Sequence, residues 1–470
     1  MSEKSNSKSA ALILAAGKGT RMMSSLPKVM HQILGLPMLW YSLNTFKKMD
    51  FDKTFIVAGH GRDILESEFS EHKSNFIIQH EQSGTGHALQ ISWPAIEESG
   101  AQWVVVANGD TPLVTVEHIQ LLMDSVKDSN AHGGLLTLKL SDPQNYGRII
   151  RDDTGRVMSI IEAKDYQDDM HGPFSGEINT GIYIFKIDAL KDILFDLDRN
   201  NQQNEIYITQ LVSLAYNNGL EFSAVCAGNS SELLGINNPK ELCEQEEFLR
   251  KKIVNFYFEK GVTLRNAEQI RIGPEVVIEP GVDISGPCEI YGTSMINRGT
   301  TINSHCYIKD SEIQGSNILS FSHIDKSRIG KGCSIGPFAR LRPGSVFKDE
   351  SKAGNFVEIK NSTIGISSKV NHLSYIGDAE LEESVNIGAG TITCNYDGQK
   401  KHKTIIEKNV FIGSNSALVA PVTIKSWSMV GAGSTITVDV PEDSLAITRG
   451  KQKNLLRKNP LKKKQNKSNL

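Results

Sequence analysis

Residues 14–22 read Leu14-Ala15-Ala16-Gly17-Lys18-Gly19-Thr20-Arg21-Met22, and Pro27-Lys28 follows shortly after. Glycines at this density let backbone N–H groups approach an anion closely, and Arg21 and Lys28 bring positive charge to the same place. The run fits neither the dinucleotide fingerprint, whose sixth position is here Met22, nor the Walker pattern. It reads as a phosphate-binding loop of another kind, or as a glycine turn that holds nothing. Asp110, in Asn108-Gly109-Asp110-Thr111-Pro112, and Asn237, in Gly235-Ile236-Asn237-Asn238, offer the hard oxygen atoms that Mg²⁺ takes. Either one also suits a turn or a helix cap. A second set lies downstream: Arg342, Glu358 and Lys360, then His372 and Tyr375 in Asn371-His372-Leu373-Ser374-Tyr375. A histidine is suited to take up a proton near neutral pH, although a lone one in such a context usually sits in a solvated turn.

The elements that must position these residues follow from hydrophobic periodicity. The first half alternates apolar runs (11–15, 54–58, 76–79, 103–107, 134–138 and 182–185) with helical patterns, as a mostly parallel α/β sheet does. Several runs end in Ala16-Gly17, Gly59-His60 or Asn108-Gly109-Asp110, and ligands of open α/β sheets bind beyond the carboxyl ends of strands. Residues 239–261 read as a linker helix, with Leu242, Leu249, Ile253 and Phe256 at helical spacing and Gly261 as its stop. Isoleucine then recurs at every sixth position, at 272, 278, 284, 290, 296, 302 and 308. The spacing returns as Ile412, Leu418, Ile424, Val430 and Ile436. A strict period of six belongs to a coil of short strands, each sending one branched apolar side chain inward. The repeat reads as interrupted near 349–355 and near 395–403, and a solenoid puts such insertions on one face, often as a binding site.

The expected organisation is an N-terminal extension (1–9), a Rossmann-like α/β domain (10–238), the linker helix (239–261), a parallel β-helix (262–449) and a basic tail (450–470). The chain is 39% hydrophobic and 22% charged with a net charge of −3, which gives no global drive toward nucleic acid or an anionic membrane. The tail is the exception, with eight Lys and Arg and no acid after Arg449, and reads as a solvated end. Six cysteines without metal-ligand spacing read as buried or free thiols in a reducing compartment. No apolar stretch has the length of a membrane span, so the cytoplasm is expected.

The loop at residues 14–22 with Pro27-Lys28 resembles the sugar-1-phosphate nucleotidyltransferase signature, G-x-G-T-R-[ML] followed by P-K. The resemblance continues through Gln79, Gln82-Ser83-Gly84-Thr85-Gly86-His87, Gly109-Asp110, Tyr146-Gly147-Arg148, Ile161-Glu162, residues 177–181 and residues 235–238. The downstream motifs narrow it. Residues 339–344, 354–360, 371–378, Asn386-Ile387-Gly388-Ala389-Gly390 and Thr393-Cys394-Asn395-Tyr396-Asp397-Gly398 resemble the bacterial bifunctional N-acetylglucosamine-1-phosphate uridylyltransferases/glucosamine-1-phosphate N-acetyltransferases. The likeness runs from Ala10 to Arg449.

That resemblance implies a homotrimer whose β-helices are left-handed, with acetyl-transfer sites where subunits meet. It implies two reactions: acetyl transfer from acetyl-CoA to glucosamine-1-phosphate, then UMP transfer from UTP to N-acetylglucosamine-1-phosphate with Mg²⁺, feeding peptidoglycan and lipopolysaccharide synthesis. For the second reaction it implies a site of Leu14, Ala15, Ala16, Gly17, Arg21, Lys28, Asn108, Gly109, Asp110 and Asn237. Gln79, Gly84 and Thr85 would read uracil there, Gly147, Glu162 and Asn179 would hold the sugar, and Asp110 and Asn237 the metal. Asn108 stands where the family often has an aromatic residue or Ser. For acetyl transfer it implies His372 as base with Glu358 orienting it. Arg342, Lys360 and Tyr375 would hold the sugar phosphate and Asn386 the sugar. Ala389, Asn395, Tyr396, Ser414, Ala432 and Arg449 would line the acetyl-CoA site. The competing expectation is a single-function nucleotidyltransferase whose β-helix only assembles it.

Overall fold

The computed structural model describes residues 8–229, 231–448 and 450–455. Most of the N-terminal extension, Arg449 and residues 456–470 of the basic tail lie outside the described residues. The chain divides into two units, Met1–Arg250 and Lys251–Leu470. The boundary falls inside the helix Pro239–Glu259, the segment expected to be the linker.

Among the described residues the first unit is built on a nine-stranded sheet. Its strands are β1 (Ser9–Leu14), β2 (Lys53–Ala58), β3 (Phe76–Ile78), β4 (Trp103–Asn108), β5 (Gly133–Lys139), β6 (Arg148–Arg151), β7 (Val157–Ile161), β8 (Glu177–Lys186) and β9 (Phe222–Cys226). The main order is β9-β5-β8-β4-β1-β2-β3, with the hairpin β6–β7 attached to β8. Ser9, placed with the extension by sequence, is already part of β1, where its amide is held by the Asp52 carboxylate. Strands β3, β2, β1 and β4 run parallel, whereas β8 is antiparallel to both β4 and β5. All six strands expected from apolar runs are present. The sheet is more mixed than expected because β8 is long and buried on both faces, so it reads as one apolar run whichever way it points. Strand β9 and the β6–β7 hairpin are half-buried and carry weaker patterns. Two apolar clusters cover the opposite faces of the sheet, one around Leu12, Val57 and Val106, the other around Ile13, Ile56 and Val105.

The second unit is a left-handed parallel β-helix. Three sheets, each of parallel short strands one coil apart, form the faces of a prism. Ile284, Ile302, Ile318 and Ile335 stack on the first face, and Ile290, Ile308, Ile324 and Leu341 on the second. Ile278, Ile296, Ile313 and Ile329 stack on the third. All are buried in one continuous core. The corners turn through residues with positive φ, among them Asp310, Phe321, Lys326, Phe338 and Phe356. Buried serines satisfy the turn backbone: Ser294 Oγ donates to Tyr291 O and accepts from the Ser311 amide of the next coil.

The two expected interruptions fare differently. Near 349–355 the count of six does not fail: Phe347, Ala353 and Ile359 all point inward, and Ala353 is merely smaller than its neighbours. The second is real, because the inward positions jump from Thr393 to Ile406 around an outlying loop. Additional steps of five, such as Ile308 to Ile313 and Ile359 to Ile364, drop one corner residue between the second and third faces.

Since each inward side chain touches its equivalents in the coils above and below, truncation leaves a cavity rather than a rearrangement. Ile308→Ala should cost about 2–5 kcal/mol and lower the urea midpoint followed by far-UV circular dichroism. Val277→Ala, on a strand but half exposed, should change stability by less than about 0.5 kcal/mol.

Candidate active sites

In the first unit the strand order reverses beside β1, and the crevice beyond β1 and β4 is where a ligand of such a sheet sits. Register Leu14↔Asn108 aligns the two strand ends. Ala15 N donates to Val57 O (2.9 Å) and Gly109 N to Leu14 O (2.9 Å), so the chain leaves both strands at one level. The loop then doubles back through Gly19, at φ +61°, into a single 3-10 turn, Thr20–Met22. A Cβ on Gly19 would fall 2.6 Å from the Lys28 Cβ, so glycine there permits the approach of Lys28.

The polar side chains converge. Lys28 Nζ lies 2.5 Å from Asp110 Oδ2 and 2.8 Å from Asn237 Oδ1, and Arg21 Nη2 donates to the same Asn237 oxygen at 2.8 Å. Asn237 is brought there by the Ile236 amide, which donates to Asp110 O (2.9 Å), and by its own amide on Glu241 Oε2 (2.6 Å). These groups border a cavity of roughly 590 Å³. The cavity gathers Leu14, Ala15, Ala16, Gly17, Arg21, Lys28, Gln79, Gly84, Thr85, Asn108, Asp110 and Asn237 from the expected set. Gln79 is buried with its amide on Gly84 O (3.1 Å) and in contact with His87 Nδ1 (3.1 Å).

Gly109, Gly147, Glu162 and Asn179 do not line that cavity. Gly109 is occupied with the backbone bond to Leu14. The other three form a neighbouring cluster at the start of β6, the end of β7 and within β8, where Asn179 N donates to Gly147 O and Asn179 Nδ2 to the Tyr183 hydroxyl (2.6 Å). Glu162 accepts from Thr209 Oγ1 (3.1 Å). Burial pushes the Glu162 carboxyl up, the Thr209 bond opposes this, and the carboxylates of Asp165 and Glu205 add to the rise. Glu205 lines the cavity itself, as do Lys18, Thr20 and Gln82. Glu205 went unassigned in the sequence because its segment, Asn201-Gln202-Gln203-Asn204-Glu205, has no periodicity.

Asp110 Oδ2 and Asn237 Oδ1 already share one cation, the Lys28 ammonium. One carboxylate and one amide oxygen fit a hard divalent ion that takes its remaining ligands from phosphate and water. Among the described residues no cluster of three or more His, Cys, Asp or Glu could hold a metal unaided.

In the second unit the downstream residues fall on the first and second faces and on the edges of the second. His372 ends the strand Lys369–His372 on the first face and stands in register with Asn355 of the preceding coil. Its Nδ1 lies 2.7 Å from Asn355 Oδ1. Glu358, expected to orient His372, instead accepts from Arg342 Nη1 at 2.9 Å. The reason is placement: Glu358 opens the strand Glu358–Lys360 on the second face, in register with Tyr375, while His372 lies before the corner. Tyr375 folds over Gly377, where a Cβ would come within 2.5 Å of its hydroxyl oxygen. Lys360 lies beside Lys401 of the outlying loop, and the adjacent ammonium holds the Lys401 pKa down. Asn386 opens its strand beside Lys369.

The turns at His372, Ala389 and Ser414 occupy the same corner of successive coils, joined by Gly390 N to His372 O (3.3 Å) and Asn415 N to Ala389 O (2.7 Å). Gly433 N to Ser414 O (2.8 Å) adds the turn at Ala432. Asn395 and Tyr396 lie at the other edge of the second face. There Asn395 Nδ2 is bound to Asp378 Oδ2 (2.5 Å) and the Tyr396 hydroxyl to Gly398 O (2.6 Å). Arg449 falls outside the described residues.

A polar cavity with converging cations at a sheet switch point, and a coil bearing a histidine at its corner, define a nucleotidyltransferase unit joined to a hexapeptide-repeat transferase unit. Family models agree: a MobA-like NTP transferase domain matches residues 11–138, a GMPPB C-terminal domain residues 272–376, and the bacterial transferase hexapeptide (six repeats) residues 403–437. The bifunctional protein GlmU of Nitratidesulfovibrio vulgaris (strain DP4) is 49% identical over 449 residues, covering 95% of this chain and 98% of its own. That of Oleidesulfovibrio alaskensis is 48% identical (95% and 97% covered), and that of Streptococcus mutans 41% (94% and 96%). The chain belongs to the family of bifunctional GlmU proteins and is an enzyme with a nucleotidyltransferase and an acetyltransferase unit.

Gly84 tests the cavity geometry. Its φ is +108°, and a Cβ would fall 2.4 Å from Ile206 O. Gly84→Ala should therefore lower kcat/KM of nucleotidyl transfer by at least ~10-fold, on the order of 1.4 kcal/mol, and leave acetyl transfer at the wild-type rate, measured as pyrophosphate and CoA release.

Proposed function

We propose that the chain makes UDP-N-acetylglucosamine in two consecutive reactions, one in each unit. The observation that carries this reading is similarity to bifunctional relatives over 95% of the chain, across both sites at once.

In the second unit the amine nitrogen of glucosamine-1-phosphate attacks the thioester carbonyl of acetyl-CoA. The C–N bond forms, the C–S bond breaks, and CoA leaves as its thiol after protonation of the sulfur. His372 takes the proton that the amine gives up. Arg342, Lys360 and Tyr375 hold the sugar phosphate and Asn386 the sugar. The paired ammonium groups of Lys360 and Lys401 favour an anion there. Ala389, Ser414 and Ala432 border acetyl-CoA along the stacked corner, with Asn395, Tyr396 and Arg449 completing its site. Glu358 acts through Arg342, keeping that guanidinium on the second face.

In the first unit a phosphate oxygen of N-acetylglucosamine-1-phosphate attacks the α-phosphorus of UTP. A P–O bond forms, the bond to the bridging oxygen breaks, and pyrophosphate leaves. Such a transfer needs alignment and charge neutralisation more than covalent help. Arg21 and Lys28 offset the developing charge, the backbone of residues 14–17 with Asn108 and Gly109 cradles the nucleotide, and Gln79, Gly84 and Thr85 read the uracil. Gly147, Glu162 and Asn179 receive the sugar beside the cavity. Asp110 and Asn237 hold Mg²⁺, which would offset charge on the triphosphate when bound.

The active assembly is a homotrimer in the cytoplasm, its product feeding peptidoglycan and lipopolysaccharide synthesis. Two features support association. In one copy the loop of Asn395 and Tyr396 stands at a different edge from Ala389 and Ser414, an arrangement that suits a site shared between two copies. The corner that carries His372 also bears a stack of exposed rings, His305, Phe321, Phe338 and Phe356, with centroids 4.6, 4.8 and 5.2 Å apart. Among the described residues no helix is long and apolar enough to cross a membrane.

His372→Ala should lower acetyl transfer by ~10²–10⁴ and spare uridylyl transfer, while Asp110→Ala should do the reverse. Loss of both activities in either folded variant would contradict two independent sites. The double change Phe338→Glu/Phe356→Glu should turn the trimer into monomers by sedimentation and remove acetyl transfer alone. A trimer that survives it would place the interface elsewhere.

A further inference from the structure

We infer that Asn355 is a positioning residue for acetyl transfer, fixing the tautomer of His372 so that its Nε2 is the proton acceptor. The inference rests on the reading of His372 as the base. An amide oxygen only accepts hydrogen bonds. With Asn355 Oδ1 2.7 Å from His372 Nδ1, the ring hydrogen belongs on Nδ1 and the lone pair on Nε2. The opposite tautomer would place two lone pairs face to face. The contact is built into the coil: Asn355 and His372 end adjacent strands in register, and the backbone repeats the pairing, with Leu373 N donating to Asn355 O (3.1 Å). Gly354, just before Asn355, permits this close stacking, since a Cβ there would fall 2.0 Å from Asn371 O.

The neighbouring groups do not replace Asn355. Glu358 is engaged by Arg342, and the charged side chains on the two strands themselves are Lys352 and Lys369, a register pair that cannot accept from the ring. Fixing one nitrogen of a catalytic imidazole through an acceptor on the other is how such a base is held in its working tautomer. A carboxylate in this position would also stabilise imidazolium. A neutral amide fixes the tautomer without adding charge beside a ring that must begin the reaction unprotonated.

The test measures kcat and KM for acetyl transfer across pH in full-length wild type, Asn355→Ala, Asn355→Asp and His372→Ala. Uridylyl transfer serves as a check of folding in each. Asn355→Ala is expected to lose ~10- to 100-fold in kcat with KM for the amino sugar nearly unchanged. Asn355→Asp, which can only accept, is expected to keep kcat within a few-fold on the alkaline plateau and to move the acid limb of the profile to higher pH by about one unit. A wild-type kcat and pH profile in Asn355→Ala would overturn the inference, as would an Asn355→Asp enzyme as impaired as Asn355→Ala at every pH. Should Asn355→Ala fold poorly, the Asn355→Asp profile decides alone. Acetyl transfer that survives in His372→Ala would overturn the base assignment, and this inference with it.

Discussion

The second unit depends on a single constraint: each coil must send branched apolar side chains to the same three interior columns as the coils beside it. Ile272, Ile290, Ile308 and Ile324 occupy one such column, all buried. Burying one such side chain contributes roughly 1.5–3 kcal/mol before entropy is counted, and the benefit vanishes if the register slips by one residue. Register being fixed, the corners are fixed too. That is why His372, Ala389, Ser414 and Ala432, far apart in sequence, form one line, and why Asn355 meets His372 without any dedicated support.

The first unit solves the same problem by sheet order. The two parallel strands Ser9–Leu14 and Trp103–Asn108 release their chains side by side, one into the glycine loop and the other toward Asp110. Backbone bonds between Ile236 and Asp110 then deliver Asn237. The cluster of Lys28, Arg21, Asp110 and Asn237 is thus assembled from four segments that main-chain contacts align. Its charges are arranged for a polyanion: two cations, Arg21 and Lys28, of which Lys28 already bridges the oxygen pair of Asp110 and Asn237.

Much of this was legible in the sequence, for identifiable reasons. The spacing of six suits neither an α-helix nor a lone strand, and the glycine loop with Arg21 and Lys28 was legible through its resemblance to the nucleotidyltransferase signature rather than through residue types alone. What stayed hidden depends on neighbours across coils or segments. A carboxylate suits the role of partner to His372 by type, yet Glu358 lies past the corner and belongs to Arg342. Asn355 is seventeen positions away in the chain and one strand away in space. The break expected near 349–355 is absent because Ala353 keeps the count and only its side chain is small. Glu205 lies in a polar stretch whose place in the cavity is set entirely by tertiary contacts.

One chain is proposed to carry two separate transfer reactions, with the acetyl-transfer site completed by a second copy. The most direct measurement is the pair of half-reactions on the unaltered protein: CoA release from acetyl-CoA with glucosamine-1-phosphate, and pyrophosphate release from UTP with N-acetylglucosamine-1-phosphate and Mg²⁺. The account predicts both, each proceeding without the substrates of the other. Pyrophosphate release without CoA release from the assembled protein would contradict it and leave the β-helix as a scaffold.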